Sequence, residues 1–176
     1  IKTDYAKDAE GVSTGYHFDC PIKDLSEGFE MVKPSTFAVN RESTQAELAF
    51  LTETFGDLLP VVIRSGTYGA NCLTQRLMRL MSMETFFLAM YDCPDKLHAL
   101  MGLLRDNARR KAQWAEAEGL LVLNNGNQCT CGSCFNFTTL LPRQPVAAGQ
   151  VRLRDMWSTM DSQETVGVSP ELFHEF

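Results

Sequence analysis

The sequence has no apolar run close to the roughly 18–20 residues that a bilayer-spanning helix needs. It has no excess of positive charge either. Its 176 residues carry 16 Lys and Arg against 22 Asp and Glu, a formal charge of −6. That balance argues against nucleic acid and anionic membrane surfaces as partners, because both require a basic field. Histidine is scarce, and the three present, His17, His98 and His174, stand apart and form no constellation. There is no glycine-rich phosphate loop, no nucleophile elbow and no H-E-x-x-H string. The beginning, IKTDYAKDAE, is charged and resembles no secretory leader, and the end, SPELFHEF, stops inside a nascent helix. The expectation is an internal piece of a longer cytoplasmic protein, too short for a complete eight-fold α/β barrel of about 250 residues.

What is present is an ordinary globular composition, 44% apolar and 22% charged. Charge is uneven along it. Residues 1–60 hold 5 basic against 11 acidic side chains, residues 61–119 hold 8 against 6, and residues 120–176 hold 3 against 5. The early acidic excess reads as a solvated outer surface. Six cysteines occur, and Cys129, Cys131 and Cys134 crowd one short segment. Structural zinc takes four soft ligands, and only three thiols and no histidine lie there. Reduced thiols are the expected state.

Residues 1–42 show little periodicity and read as a loop-rich lead-in. Thr44-x-x-Glu47 matches a capping box, and Leu48, Leu51 and Phe55 continue a helical stripe that Gly56 stops. Leu58 to Ile63 is nearly continuous apolar chain rich in β-branched residues, the pattern of a strand covered on both faces. Residues 71–90 turn helical. Asp92-Cys93-Pro94 restarts a second helix that runs to Gly119, a left-handed terminator. Leu120 to Leu123 reads as a second buried strand, Val151 to Arg154 as an exposed or edge strand, and Ser169-Pro170 as the start of a last helix. Alternating helices and doubly buried strands predict parallel α/β architecture in one domain over residues 1–176.

In such folds ligands lie beyond the carboxyl ends of the strands. That rule selects Arg64 and Tyr68 after the first strand, and Asn124 and Asn125 after the second. Arg64 suits a carboxylate or phosphate, or else a surface salt bridge. Tyr68 can donate to a substrate oxygen or pack under the next helix. The asparagines can bind substrate or cap a turn. A further segment, Trp157 with Asp161, Ser162, Gln163 and Glu164, precedes the Ser169 helix. Its acids can perform acid–base work, or serve the helix dipole and face water.

The strings YHFDCPIKDL, FGDLLPVVIRSG, MYDCPDKLHALM, WAEAEGLLVLNNGNQ and DMWSTMDSQETVGVSPELFHEF together resemble the uroporphyrinogen decarboxylase superfamily. They lie nearer its uncharacterised bacterial branch than the haem-pathway enzymes. The resemblance implies a TIM-type (β/α) barrel, incomplete in this chain, with the site at the strand ends. It implies a cofactor-free decarboxylase acting on a carboxylated tetrapyrrole-like or small anionic substrate. The alternatives are a zinc-dependent corrinoid or thiol methyltransferase and a catalytically inactive binding domain. Asp161-Ser162-Gln163 is similar to the acid-Ser-His string of the decarboxylase cleft, a place that Asn124-Asn125 also fits. On this reading Ser162, Tyr68 and Asp161 are catalytic, while Arg64, Asn124, Asn125, Gln163 and Trp157 bind substrate.

The chain departs from the family in three places. The strand carrying the family's substrate Arg and central Asp is missing. Phe137-Thr138-Thr139-Leu140-Leu141-Pro142 lacks the acids of the family's Tyr-Thr-Asp-Glu-Leu-Pro string. The methyltransferase zinc ligands would fall after Phe176. No cofactor is therefore expected in this chain, and a longer parent has room for zinc. Unpaired barrel edges would favour a homo-oligomer.

Overall fold

The computed structural model describes residues 2–64, 72–126, 129–131, 134–135 and 137–176. The parallel barrel expected from sequence is not what these residues form. Strands occur as two antiparallel pairs, and helices carry most of the regular structure. Read from sequence as one domain, the chain divides into two compact units. No helix of the described residues is long and apolar enough to cross a membrane.

The first unit comprises Ile1–Pro34, Asn71–Ala108 and Met160–Phe176. Its lead-in is more regular than the sequence suggested. β1 (Lys2–Lys7) pairs antiparallel with β2 (Ser13–Asp19), with Tyr5 opposite Tyr16 and a register shift at Ala6/Lys7. Asp8 closes the turn by accepting the N–H groups of Glu10 (3.1 Å) and Val12 (2.8 Å), and Gly11 supplies the φ of 82° there. Then follow a short α1 (Leu25–Gly28), α3 (Leu73–Leu80), α4 (Met83–Asp92), the first part of α5 (Pro94–Ala117) and α6 (Pro170–Glu175). The helix preceding α3 in sequence, α2 (Arg41–Phe55), belongs to the second unit.

The single helix expected over 71–90 is broken. Met81 is extended (φ −142°, ψ 160°), and the Ser82 hydroxyl accepts the Thr85 N–H at 3.1 Å, restarting the chain as α4. Extended Met81 can then bridge Ile22 in parallel fashion, while the Ile22 N–H donates to Leu80 C=O at 2.9 Å. The apolar stripe persists through this break, which is why periodicity alone reads it as continuous. Ile22, Leu25, Leu77, Met81, Phe86, Leu97 and Leu100 meet in one buried core.

Asp24 caps α1 by accepting the Ser26 N–H at 2.7 Å. Hydrogen bonds from Ser26 hold its carboxyl below the ordinary value of 3.8. A depressed carboxyl stabilises the fold above its unfolded pKa, and that contribution fades as pH falls through the folded value. Asp24→Asn keeps a capping oxygen but does not titrate. In acid titrations followed by circular dichroism, the wild type is expected to lose stability below about pH 4 more steeply than this variant.

Cys93 ends α4, and its carbonyl accepts the Leu97 N–H of α5 at 3.1 Å. Burial pushes its thiol pKa up, and the Asp24 and Asp92 carboxylates push it further. Less thiolate is then present at neutral pH. Iodoacetamide labelling read by mass spectrometry should find Cys93 slower than free glutathione, and Asp92→Asn should speed it.

The second unit comprises Ser35–Ala70 and Arg109–Thr159. α2 begins earlier than the capping box at Thr44 suggested. Asn40 is the N-cap, accepting the Ser43 N–H at 2.9 Å, while the Thr44 hydroxyl donates to Asn40 C=O at 2.9 Å. Arg41 ties the start of α2 to the end of α5 through the Glu118 carboxylate at 2.9 Å. α5 ends as expected: Gly119 has φ 66°, and Leu120 N–H reaches Ala115 C=O at 2.9 Å.

Neither expected core strand forms. Leu58 to Ile63 has no regular structure, and Leu58 is 73% and Val62 67% exposed. Pro60 lacks the N–H a central strand would need. Leu120 to Leu123 is also irregular, and of its four residues only Leu121 is fully buried. Leu121 packs with Ala115 of α5 and with Val151, so the apolar run covers a helix end. Val151 to Arg154 is likewise no strand: Val151 is buried, and Leu153–Asp155 is a 3-10 turn. β3 (Cys129–Cys131) and β4 (Cys134–Phe135) make the second antiparallel pair.

Candidate functional site

A polar concavity of the second unit lies where α5 meets the loop leading to the 3-10 turn. It is a groove of about 1230 Å³. Gln113, Glu116 and Ala117 line it from α5, and Arg143, Gln144, Gln150, Arg152, Arg154 and Asp155 line it from the loop. Gly149, with φ 76°, turns the loop back through the Gln150 N–H to Ala147 C=O bond of 3.1 Å. Val151 and Leu153, packed with Ala115 and Leu121, anchor this stretch to the unit's small core.

The electrostatics of the groove follow from who holds the two acids. Glu116 Oε2 accepts the Leu153 N–H at 2.6 Å, and Asp155 Oδ2 accepts the Arg152 N–H at 3.0 Å. Each carboxylate thus has one oxygen engaged by the backbone. Arg154 Nε approaches Asp155 Oδ1 only to 4.0 Å. Among the described residues the Arg143 side chain has no ion pair. Three exposed guanidiniums therefore stand beside three glutamine amides in one recess. Guanidiniums bind carboxylates and phosphates through paired, charge-assisted hydrogen bonds, and the amides add neutral donors and acceptors.

None of these arginines was selected by the strand-end rule. The signal that finds them is the charge count: Arg143, Arg152 and Arg154 are the only Lys or Arg residues of 120–176. All three line the same groove.

The residues that were selected fall elsewhere. Arg64 is exposed in the second unit, following the irregular 58–63 segment. Tyr68 lies outside the described residues. Asn124 is buried with its amide spent on Trp157: Oδ1 accepts the Trp157 N–H at 2.9 Å, and Nδ2 donates to Trp157 C=O at 2.8 Å. Asn125 Nδ2 donates to Leu141 C=O at 3.0 Å. The Trp157 indole N–H is buried and has no acceptor among the described residues.

Asp161, Ser162 and Gln163 belong to the first unit. Gln163 is exposed and donates its N–H to Asp161 Oδ1 at 2.9 Å, opening a 3-10 turn, Gln163–Thr165. Asp161 and Ser162 border a second recess of about 540 Å³. Behind it, the Thr74 hydroxyl donates to Glu164 Oε2 at 2.7 Å. The expected site residues are therefore divided between the two units: structure joins Asn124 to Trp157, and Asp161 to Ser162 and Gln163.

Cys20 and Cys93 are free thiols. Among the described residues no group of three or more His, Cys, Asp or Glu is gathered as a metal site. The side chains of Cys129, Cys131 and Cys134 lie outside the described set. His98 is half-exposed, stacked on Phe176 with ring centroids 4.4 Å apart, and 3.5 Å from the Glu175 carboxylate. No family model, curated protein or solved structure matches the chain.

Proposed function

We propose that this chain binds a small carboxylated molecule in the arginine groove of its second unit. The observation that carries the reading is the concentration of Arg143, Arg152 and Arg154 on one recess whose acids already accept backbone N–H groups. In a chain of net charge −6, a cluster of three cations is a local reversal of sign. The recess exceeds the roughly 300–1,000 Å³ typical of drug-sized ligands, so a polycarboxylate as large as a tetrapyrrole fits its volume. The resemblance to the uroporphyrinogen decarboxylase superfamily supports the same substrate class. It also makes loss of carbon dioxide the reaction to assay.

Calorimetric titration with citrate and with uroporphyrin tests the binding reading. Arg152→Ala combined with Arg154→Ala is expected to weaken binding by about 10- to 100-fold, the scale of losing one or two charge-assisted contacts. Binding should also fall with added salt, because the guanidiniums are exposed. Unchanged affinity in the double variant, or no binding by the intact chain, rejects the groove. Release of carbon dioxide from a carboxylated tetrapyrrole, measured separately, tests the reaction.

A further inference from the structure

The recess bordered by Asp161 and Ser162 has a chemistry opposite to that of the arginine groove. Its lining is mostly apolar and adaptable: Met90, Met101, Met160, Phe86, Phe173 and Phe176 border a space of about 540 Å³. Methionine reshapes easily and makes favourable contacts with rings, so such a wall accepts flat apolar bodies of varied outline. The polar residues of the lining are Thr74, Asp161, Ser162 and Thr165, and most of their groups are already used. Thr74 donates its hydroxyl to Glu164, and Thr165 donates its own to Ser162 C=O at 2.6 Å. Asp161 Oδ1 accepts the Gln163 N–H. What remains for a ligand, among the described residues, is the second Asp161 carboxylate oxygen and the Ser162 hydroxyl.

Charge complementarity then selects the occupant. Asp161 has the sole charged side chain on the lining, which includes no Lys, Arg or His. We propose that this recess is a binding site for a small aromatic amine, its ring among the methionines and phenylalanines and its ammonium group at Asp161 and Ser162. The geometry suits a ligand of one or two fused rings with a short aminoalkyl arm. An anionic ligand of the same shape meets a carboxylate at the mouth and is disfavoured.

Three probes of equal shape separate the terms: 2-(1-naphthyl)ethylamine, 1-ethylnaphthalene and 1-naphthaleneacetate. Binding is read on the intact chain labelled with [methyl-13C]methionine. The Met90, Met101 and Met160 methyl resonances report this recess, and an anion held in the arginine groove does not touch them. The amine is expected to shift those three resonances saturably and to bind about 2- to 5-fold tighter than ethylnaphthalene, the scale of an exposed charge pair. Asp161→Asn should remove that preference while leaving ethylnaphthalene unaffected. Phe173→Ala, at a half-exposed wall position, should weaken both by several-fold. The proposal is overturned if no methionine of the recess responds, if naphthaleneacetate binds there as tightly as the amine, or if Asp161→Asn leaves the amine's preference intact.

Discussion

Phe86→Ala is expected to destabilise the first unit by about 3–5 kcal/mol, enough to bring a marginal fold close to unfolding. Phe86 is 1% exposed and lies in the first half of α4, in one core with Ile22, Leu77, Leu97 and Leu100. Removing the ring loses its transfer free energy and leaves a void that the neighbours fill only in part. Phe86 also borders the apolar recess, so truncation enlarges an existing space. Phe87, its neighbour with ring centroids 5.5 Å away, is only partly buried and should cost roughly half as much. Guanidinium unfolding followed by circular dichroism at 222 nm measures both. Equal midpoints for wild type and Phe86→Ala would remove Phe86 from the core.

Local signals were legible in the sequence because they are decided within a few residues. Ser169-Pro170 does start α6, with the Ser169 hydroxyl accepting the Leu172 N–H at 3.3 Å, and Pro94 does open α5. Gly119 terminates α5 in the left-handed region. What failed was the step from an apolar run to its partner. Leu58–Ile63 and Leu120–Leu123 have the same apolar continuity, yet one is exposed and the other packs on a helix end. Hydrophobicity states that a segment prefers cover and leaves the geometry of that cover open. The barrel rested on pairing these two segments, so it fell with them. Capping shows a similar competition: Asn40 and Thr44 are both competent N-caps, and the Arg41–Glu118 contact, 77 residues apart, lies with the earlier start.

The candidate sites divide along the same line. Asp161 and Ser162 stand out in the sequence through the resemblance and through the well-capped helix that follows them, and they border a recess. The arginines were missed although their charge had been counted. Arg152 and Arg154 read as the outward positions of an alternating strand, whereas the 3-10 turn at Leu153–Asp155 places both on the groove. A change of local period re-aims side chains, and one run of four residues does not specify which period wins.

Asn124→Ala is expected to cost about 2–4 kcal/mol of stability in the second unit, without a matching loss of anion binding. The sequence offered Asn124 two roles, substrate contact or structural cap, and the geometry favours the second. Its amide pairs with both backbone groups of Trp157, imitating one rung of a sheet between segments 33 residues apart. Asn124 is 8% exposed, so truncation leaves the Trp157 N–H and C=O with little access to water. Each such orphan costs about 1–3 kcal/mol. Asn124→Asp discriminates further: it can still accept the Trp157 N–H, but it sets an oxygen against the Trp157 carbonyl, so much of the loss should persist. Both tryptophans of the chain, Trp114 and Trp157, belong to the second unit, so tryptophan fluorescence during denaturation follows that unit directly. A lowered midpoint with unchanged citrate affinity identifies Asn124 as a clamp on the Trp157 segment. An unchanged midpoint with lost affinity would return it to the substrate.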